Sequence, residues 1–179
     1  MLVSLVRHTA VDIKGQDLCY GYSDVPVLQE VFASQAENLR QSIVHFTPDA
    51  IFSSPLSRAR KLADYCGFAP IIEDRRLMEM NFGEWEMKNW NEIIHTEDIP
   101  AFFQYYIEHK VPGGESLTDQ RERVKEFLEE KKKEGWQHIL VFCHGGVINC
   151  AKSIIEDKPL EEAFSSLPPY ASLTQLTYE

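Results

Sequence analysis

The chain has 179 residues and a formal net charge of -10, with 44% hydrophobic and 26% charged residues. Those values belong to an ordinary globular chain long enough to bury a core, and they exclude disordered and fibrous classes. The acidic balance opposes adhesion to nucleic acid or to anionic membranes, although a few converging arginines can still dominate one local field.

A single domain over 1–179 is expected. No apolar run approaches the roughly 20 residues that span a bilayer, and the LVSLV run near the start is too short and lacks the basic flank of a signal peptide. A cytoplasmic location without membrane partners is therefore expected. Cys19, Cys66, Cys143 and Cys150 show neither CxxC spacing nor disulfide-scaffold density, so reduced thiols are expected, with Cys19 an exposed, unreactive loop thiol.

In chain order, Leu2–Val6 is a short apolar run that reads as an interior strand of a parallel sheet, and it ends in Arg7 and His8. Ligands of open α/β sheets bind beyond such strand ends. Ala10 to Pro26, with Gly15, Gly21 and a DVP turn, reads as a loop over that end. Phe32, Ala36, Leu39, Ile43 and Phe46 recur at helical intervals, predicting a helix from about Gln29 to Phe46 that stops at Thr47-Pro48. Ala50–Ser53 is a second strand, and SSPLSR leads from it through Arg58 into a helix closed at Cys66-Gly67. Pro70 to Glu73 reads as a third, less buried strand, followed by a segment holding Glu79, Phe82-Gly83 and Trp85.

Trp90, Ile93, Ile94, Phe102, Phe103, Tyr105, Tyr106 and Ile107 supply two short helices, a small cap over about 84–111. Most of these side chains are expected to pack a core, and a few to line a pocket. Ser116 and Asp119 form a capping box before a helix whose apolar face carries Val124, Phe127 and Leu128. Ile139–Cys143 is the most apolar strand and runs into His144-Gly145-Gly146 and a helix through Ile155; Ala171 to Tyr178 is placed at a sheet edge.

Three buried strands thus end in basic groups: Arg7-His8, Arg58 and His144. Their convergence implies a dianionic ligand, and phosphate suits the forked guanidinium. Gly145-Gly146 lets backbone approach a ligand at a helix start. His8 can serve as a covalent nucleophile if one ring nitrogen is unprotonated and the other is held by a hydrogen bond. His45, His95, His109 and His138 lack ligand-like spacing and read as surface or helix residues, so no metal and no cofactor is expected.

LVRHT, SSPLSR, RLMEMNFGEWE, PGGES and VFCHGG, in that order, resemble the histidine phosphatase superfamily, also called phosphoglycerate mutase-like. The resemblance implies an α/β three-layer sandwich with a mostly parallel sheet. It further implies that Arg7 and Arg58 bind the phosphoryl group, His8 becomes a phosphohistidine, His144 completes the pocket and Glu79 is the proton donor. Glu84 and Glu86, flanking Trp85, are expected to help keep Glu79 protonated.

Thr9 stands where the common family form has Gly, Met87 where many members have Gly, and AVDIK at 10–14 lacks the Asn or Ser of mutase-like members. RHT with the CYGYSDVP loop is similar to the α-ribazole phosphatase branch, which implies substrate contacts at Thr9, Tyr20, Gly21 and Gly145 and α-ribazole 5'-phosphate as the small-molecule monoester. The alternatives are a phosphoglycerate mutase, a broad-specificity small-molecule phosphatase and a non-catalytic phospho-ligand sensor.

Overall fold

Each apolar run forms a strand in the computed structural model, which describes residues 1–96 and 102–179. The strands are β1 (Leu2–Arg7), β2 (Ala50–Ser53), β3 (Ile71–Glu73), β4 (His138–Cys143) and β5 (Leu173–Thr177). The helices are α1 (Gln29–Ile43), α2 (Ser57–Cys66), α3 (Trp90–Thr96), α4 (Phe102–Glu108), α5 (Leu117–Lys133), α6 (Gly145–Ile155) and the short α7 (Leu160–Ala163). The sheet order is β3-β2-β4-β1-β5, with every pairing parallel except that of β5, which runs antiparallel along β1.

Alternation along the strands separates two apolar layers. Val3, Leu5, Phe52, Ile139 and Val141 pack with Val124, Phe127, Val147 and Ile148 of α5 and α6. Val6, Ile51, Leu140 and Phe142 pack with Phe32, Leu39, Leu62 and Ala63 of α1 and α2. Helices therefore cover both faces, the three-layer α/β sandwich expected. Phe52 and Phe127, each 1% exposed, meet edge to face at 5.2 Å and tie β2 to α5; full burial of a side chain of this size contributes about 1.5–3 kcal/mol.

The register decides where the site forms. Arg7 of β1 pairs with Cys143 of β4, and Ser53 of β2 pairs with Phe142. The next residues, His8, His144 and Ser54, leave the sheet side by side at the carboxyl ends of three central strands.

Several expectations are corrected. Helix α1 stops at Ile43, because residues 44–46 form a turn in which the Phe46 N–H donates to Ile43 O, and that turn still seats Phe46 against the core. His138 is not in a helix: it opens β4, half-buried, and is hydrogen-bonded at 2.9 Å to Ser4 Oγ. Cys19 is fully buried, and burial pushes its thiol pKa up. All four cysteines are free.

The cap helices α3 and α4 pack through Ile93, Tyr106 and Ile107 on Trp85. The side-chain positions expected for Phe102, Phe103 and His95 lie outside the described residues. Among the described residues, no helix is long and apolar enough to cross a membrane.

Candidate active site

His8 follows β1 directly, so a buried strand on both sides of which sheet is formed fixes its backbone. Its N–H donates to Cys143 O at 3.1 Å, and its own carbonyl accepts the Ala171 N–H at 3.0 Å. The ring is only 2% exposed. Burial, then the charge of Arg58 and that of Arg7, hold its pKa well below the ordinary histidine value, against the opposing effect of Thr9. His8 Nδ1 lies 2.7 Å from Thr9 O. A carbonyl only accepts, so Nδ1 carries the hydrogen and Nε2 of the neutral ring keeps its lone pair.

His144 is the N-cap of α6 and is also fully buried. Burial, then Arg58 and His8, keep it neutral. Its Nε2 shares a 2.8 Å hydrogen bond with Ser54 Oγ, an oxygen that already accepts the Leu56 N–H. The other ring nitrogen of His144, Nδ1, is buried and has no partner. The two histidine rings lie 5.1 Å apart, centre to centre.

Arg58 is fully buried in the first turn of α2. Its Nη1 donates to Ser23 O at 2.8 Å and its Nη2 to Gly21 O at 2.7 Å. The loop carrying those carbonyls is itself gripped by Glu86, whose carboxylate accepts the N–H groups of Gly21, Tyr22, Ser23 and Phe82 at 2.9–3.1 Å. Burial works against ionisation of Glu86, yet these hydrogen bonds hold its pKa below the usual carboxylate range. Arg7 donates from Nη1 to Pro168 O, and its guanidinium lies 4.1 Å from the centre of the Tyr170 ring. Arg7 Nε, Arg58 Nε, Thr9 Oγ1 and His144 Nδ1 are buried polar atoms without partners. Unpartnered polar atoms on two arginines and a histidine beside His8 are the kind of groups that an oxyanion satisfies.

Glu79 stands across from α6. Its Oε1 accepts from Met80 N–H at 3.0 Å and from Gln120 Nε2 at 2.8 Å, while Oε2 accepts from Gly146 N–H at 3.0 Å. A side chain at Gly146 would collide with Glu79 Oε1, which explains the glycine. The Glu79 backbone is also held: Arg123 Nη2 donates to its carbonyl at 2.9 Å, Nη1 donates to those of Arg76 and Met78, and Nε and Nη2 grip Glu115. Glu84 and Glu86, expected to act on Glu79, are directed elsewhere: Glu84 is exposed, and Glu86 faces the 21–23 loop and Phe82.

A cleft of about 420 Å³ opens above His8, Arg7 and Glu79, within the usual range for small-molecule sites. Tyr20, Phe82, Trp90, Tyr106, Phe164 and Tyr170 line it. Tyr20 and Tyr170 join hydroxyl to hydroxyl at 2.9 Å. Of the residues expected to bind substrate, Tyr20 lines the cleft, whereas Thr9 is fully buried and is not part of its lining. Gly21 instead serves Arg58 and Glu86, and Gly145 makes room for Arg7, whose Nε lies 3.4 Å from the place a Cβ would take.

Sequence reasoning missed Tyr170, Gln120 and the Arg123–Glu115 pair. Gln120 had left a trace, a polar residue on the apolar face of α5 one turn before Val124. Tyr170 had left none. Among the described residues, no group of three or more His, Cys, Asp or Glu side chains is arranged to hold a metal.

A family model described as the histidine phosphatase superfamily (branch 1) matches residues 3–179. The chain belongs to that superfamily. Phosphoserine phosphatase 1 of Hydrogenobacter thermophilus is 36% identical over 149 residues, 78% of this chain and 69% of that one. The adenosylcobalamin/alpha-ribazole phosphatase of Salmonella typhimurium is 29% identical over 161 residues, 83% of this chain and 76% of that one. In three dimensions the chain resembles the alpha-ribazole phosphatase of Shigella flexneri with a TM-score of 0.84 at 23% identity, over 98% of this chain and 89% of that one; this likeness concerns the fold. These three are phosphatases by name, while other relatives, about 30% identical, are phosphoglycerate mutases by name; the superfamily together with its phosphatase-named members supports a phosphatase here.

Proposed function

We propose that the protein hydrolyses phosphate monoesters through a phosphohistidine at His8 and that its substrate is α-ribazole 5'-phosphate. The observation that carries the chemistry is the tautomer of His8: a buried neutral ring with Nδ1–H given to Thr9 O and a lone pair on Nε2. In the first step Nε2 attacks phosphorus, the P–O bond breaks, and Glu79 protonates the departing oxygen. Because Oε1 of Glu79 already accepts two hydrogen bonds and Oε2 one, the moving proton belongs on Oε2. In the second step water attacks phosphorus, the P–N bond electrons return to Nε2, and Glu79 takes the water proton. The partnerless Nε atoms of Arg7 and Arg58, and His144 in the tautomer with its hydrogen on Nδ1, are assigned in this reading as the donors for the phosphoryl oxygens. The charge they supply makes a metal unnecessary to this reading.

The cleft supports the substrate. Six aromatic side chains line it, and Arg7 is the only cation among its described lining residues. A flat, uncharged base is suited to such walls. The 36% identity with a phosphoserine phosphatase favours a second reading, phosphoserine. Phosphoserine and phosphoglycerate both carry a carboxylate beside the phosphate, and that carboxylate would sit in this cleft without a cation of its own.

Steady-state kinetics of wild type and His8→Ala on α-ribazole 5'-phosphate, O-phosphoserine, 3-phosphoglycerate and para-nitrophenyl phosphate test both parts. The mutation is expected to lower kcat by more than about 10³-fold, and kcat/KM for α-ribazole 5'-phosphate to exceed that for the carboxylated substrates by about 10- to 100-fold. An active His8→Ala would overturn the phosphohistidine; preference for O-phosphoserine or 3-phosphoglycerate would overturn the substrate.

A further inference from the structure

We infer that Gln120 holds the attacking water against the phosphohistidine, accepting one water hydrogen on Oε1 while Glu79 accepts the other. The inference rests on the phosphohistidine reading above. Gln120 is fully buried on α5 and lines the cleft. Its Nε2–H is spent on Glu79 Oε1 at 2.8 Å, while its Oε1, equally buried, has no partner.

Both ends of this amide lie across the first turn of α6, since the place a Gly146 Cβ would take is 3.0 Å from Nε2 and 3.1 Å from Oε1. Glu79 Oε2 reaches the same residue through the Gly146 N–H at 3.0 Å. Two acceptors therefore flank one glycine in the wall of the cleft: a carboxylate oxygen that is a base once it has given up its proton, and an amide oxygen that is never one. A water between them has each hydrogen assigned and its lone pairs left for phosphorus. An alcohol in that place has one hydrogen only and cannot satisfy both acceptors, which favours hydrolysis over transfer to a second hydroxyl.

The atoms balance. Water oxygen bonds to phosphorus, the P–Nε2 bond breaks and its electrons return to the His8 ring. One water hydrogen moves to Glu79 Oε2, and the hydrogen on Gln120 Oε1 stays with the product as a P–OH group. Gln120 neither gains nor loses a proton.

The test separates the two halves of the reaction. Wild type, Gln120→Met and Gln120→Leu are mixed with an alkyl phosphate monoester, quenched in alkali, and followed for phosphohistidine formation and decay, with the partition between water and added glycerol measured alongside. Thermal melts establish that at least one variant is folded. Decay about 10- to 100-fold slower in the variants, formation slowed several-fold less than decay because only the bond to Glu79 Oε1 is lost there, and a larger share of transfer to glycerol are expected. Equal slowing of formation and decay would mean that Gln120 merely positions Glu79, and slowing of formation alone would place it on the leaving group; either result overturns the inference. A wild type that forms no phosphohistidine at His8 overturns the underlying reading instead, and a phosphohistidine whose decay ignores Gln120 overturns the water contact alone.

Discussion

Ser23 gives its N–H to Glu86 Oε2 at 3.1 Å and its carbonyl to Arg58 Nη1 at 2.8 Å, so one residue of backbone links a carboxylate to a guanidinium that it does not touch. Gly21 repeats the arrangement, with N–H to Glu86 and carbonyl to Arg58 Nη2. Asp24, next in the same loop, accepts the Ser57 N–H at 2.9 Å at the start of α2, the helix that carries Arg58. The loop is a template, and Glu86 sets its shape.

Glu86→Gln keeps the volume but turns an NH₂ toward two of the four N–H donors. The expected result is weaker inhibition by inorganic phosphate, by about tenfold or about 1.4 kcal/mol. If Glu86 acts through Arg58, the double variant with Arg58→Ala is no weaker than Arg58→Ala alone. Inhibition constants for the four proteins decide this, and losses that multiply would show that Glu86 works elsewhere.

The neutral histidines set a pH dependence of stability. Burial lowers the pKa of both His8 and His144, so below about 6.5 the unfolded chain takes up protons that the folded chain refuses. Stability is therefore full above that pH and falls as the pH drops toward the folded-state values, by about 1.4 kcal/mol per pH unit for each histidine once its unfolded form is charged. Urea unfolding of wild type and His144→Asn between pH 7.5 and 5 is expected to show the shallower pH slope in the variant.

Gly146→Ala moves the acid without removing it, since the new methyl would take the place of Glu79 Oε1. A displaced proton donor matters most when the leaving oxygen is a poor one. An alkyl phosphate is expected to lose about 10²-fold in kcat, and para-nitrophenyl phosphate, whose leaving group departs unprotonated, about tenfold less than that. Equal losses on the two substrates would show that Glu79 is not the acid.

Much of this was legible in the chain. β4 is a run of apolar residues with branched side chains, and the Ser116–Asp119 capping box forms as written, Ser116 Oγ accepting the Asp119 N–H at 3.0 Å. The convergence of Arg7, His8, Arg58 and His144 followed from strand ends in a parallel sheet. Glu79 was different, because no periodicity marks a residue in an irregular segment, and only the family resemblance singled it out. Tyr170 was beyond reach for a related reason: it comes to Arg7 across a separation of more than 160 residues, set by how the 164–172 loop returns to β1 through the Arg7 N–H and Ser172 O. Glu86 was noticed with the wrong neighbour, since its four N–H partners arise from loop folding that spacing does not encode.

Arg123 and Glu115 offer the last prediction. They lie 2.8 Å apart with 13% and 18% of their side chains exposed, and the guanidinium also serves the carbonyls of Arg76, Met78 and Glu79. Glu115 in turn accepts the Asn81 N–H at 2.9 Å. Arg123→Met removes the cation and leaves a carboxylate and three carbonyls short of donors, with an expected loss of about 3–5 kcal/mol. Arg123→Lys keeps the charge but not the planar fork, and one ammonium cannot reach partners arrayed on both edges of a guanidinium; an intermediate loss of about 1–3 kcal/mol is expected. Because the Glu79 carbonyl is among those partners, the lysine variant should also lose kcat on alkyl phosphates while its KM stays within about twofold, as expected when transition-state interactions alone are weakened. Urea midpoints and steady-state kinetics on the same samples test both, and a fully stable, fully active Arg123→Lys would show that the charge alone suffices.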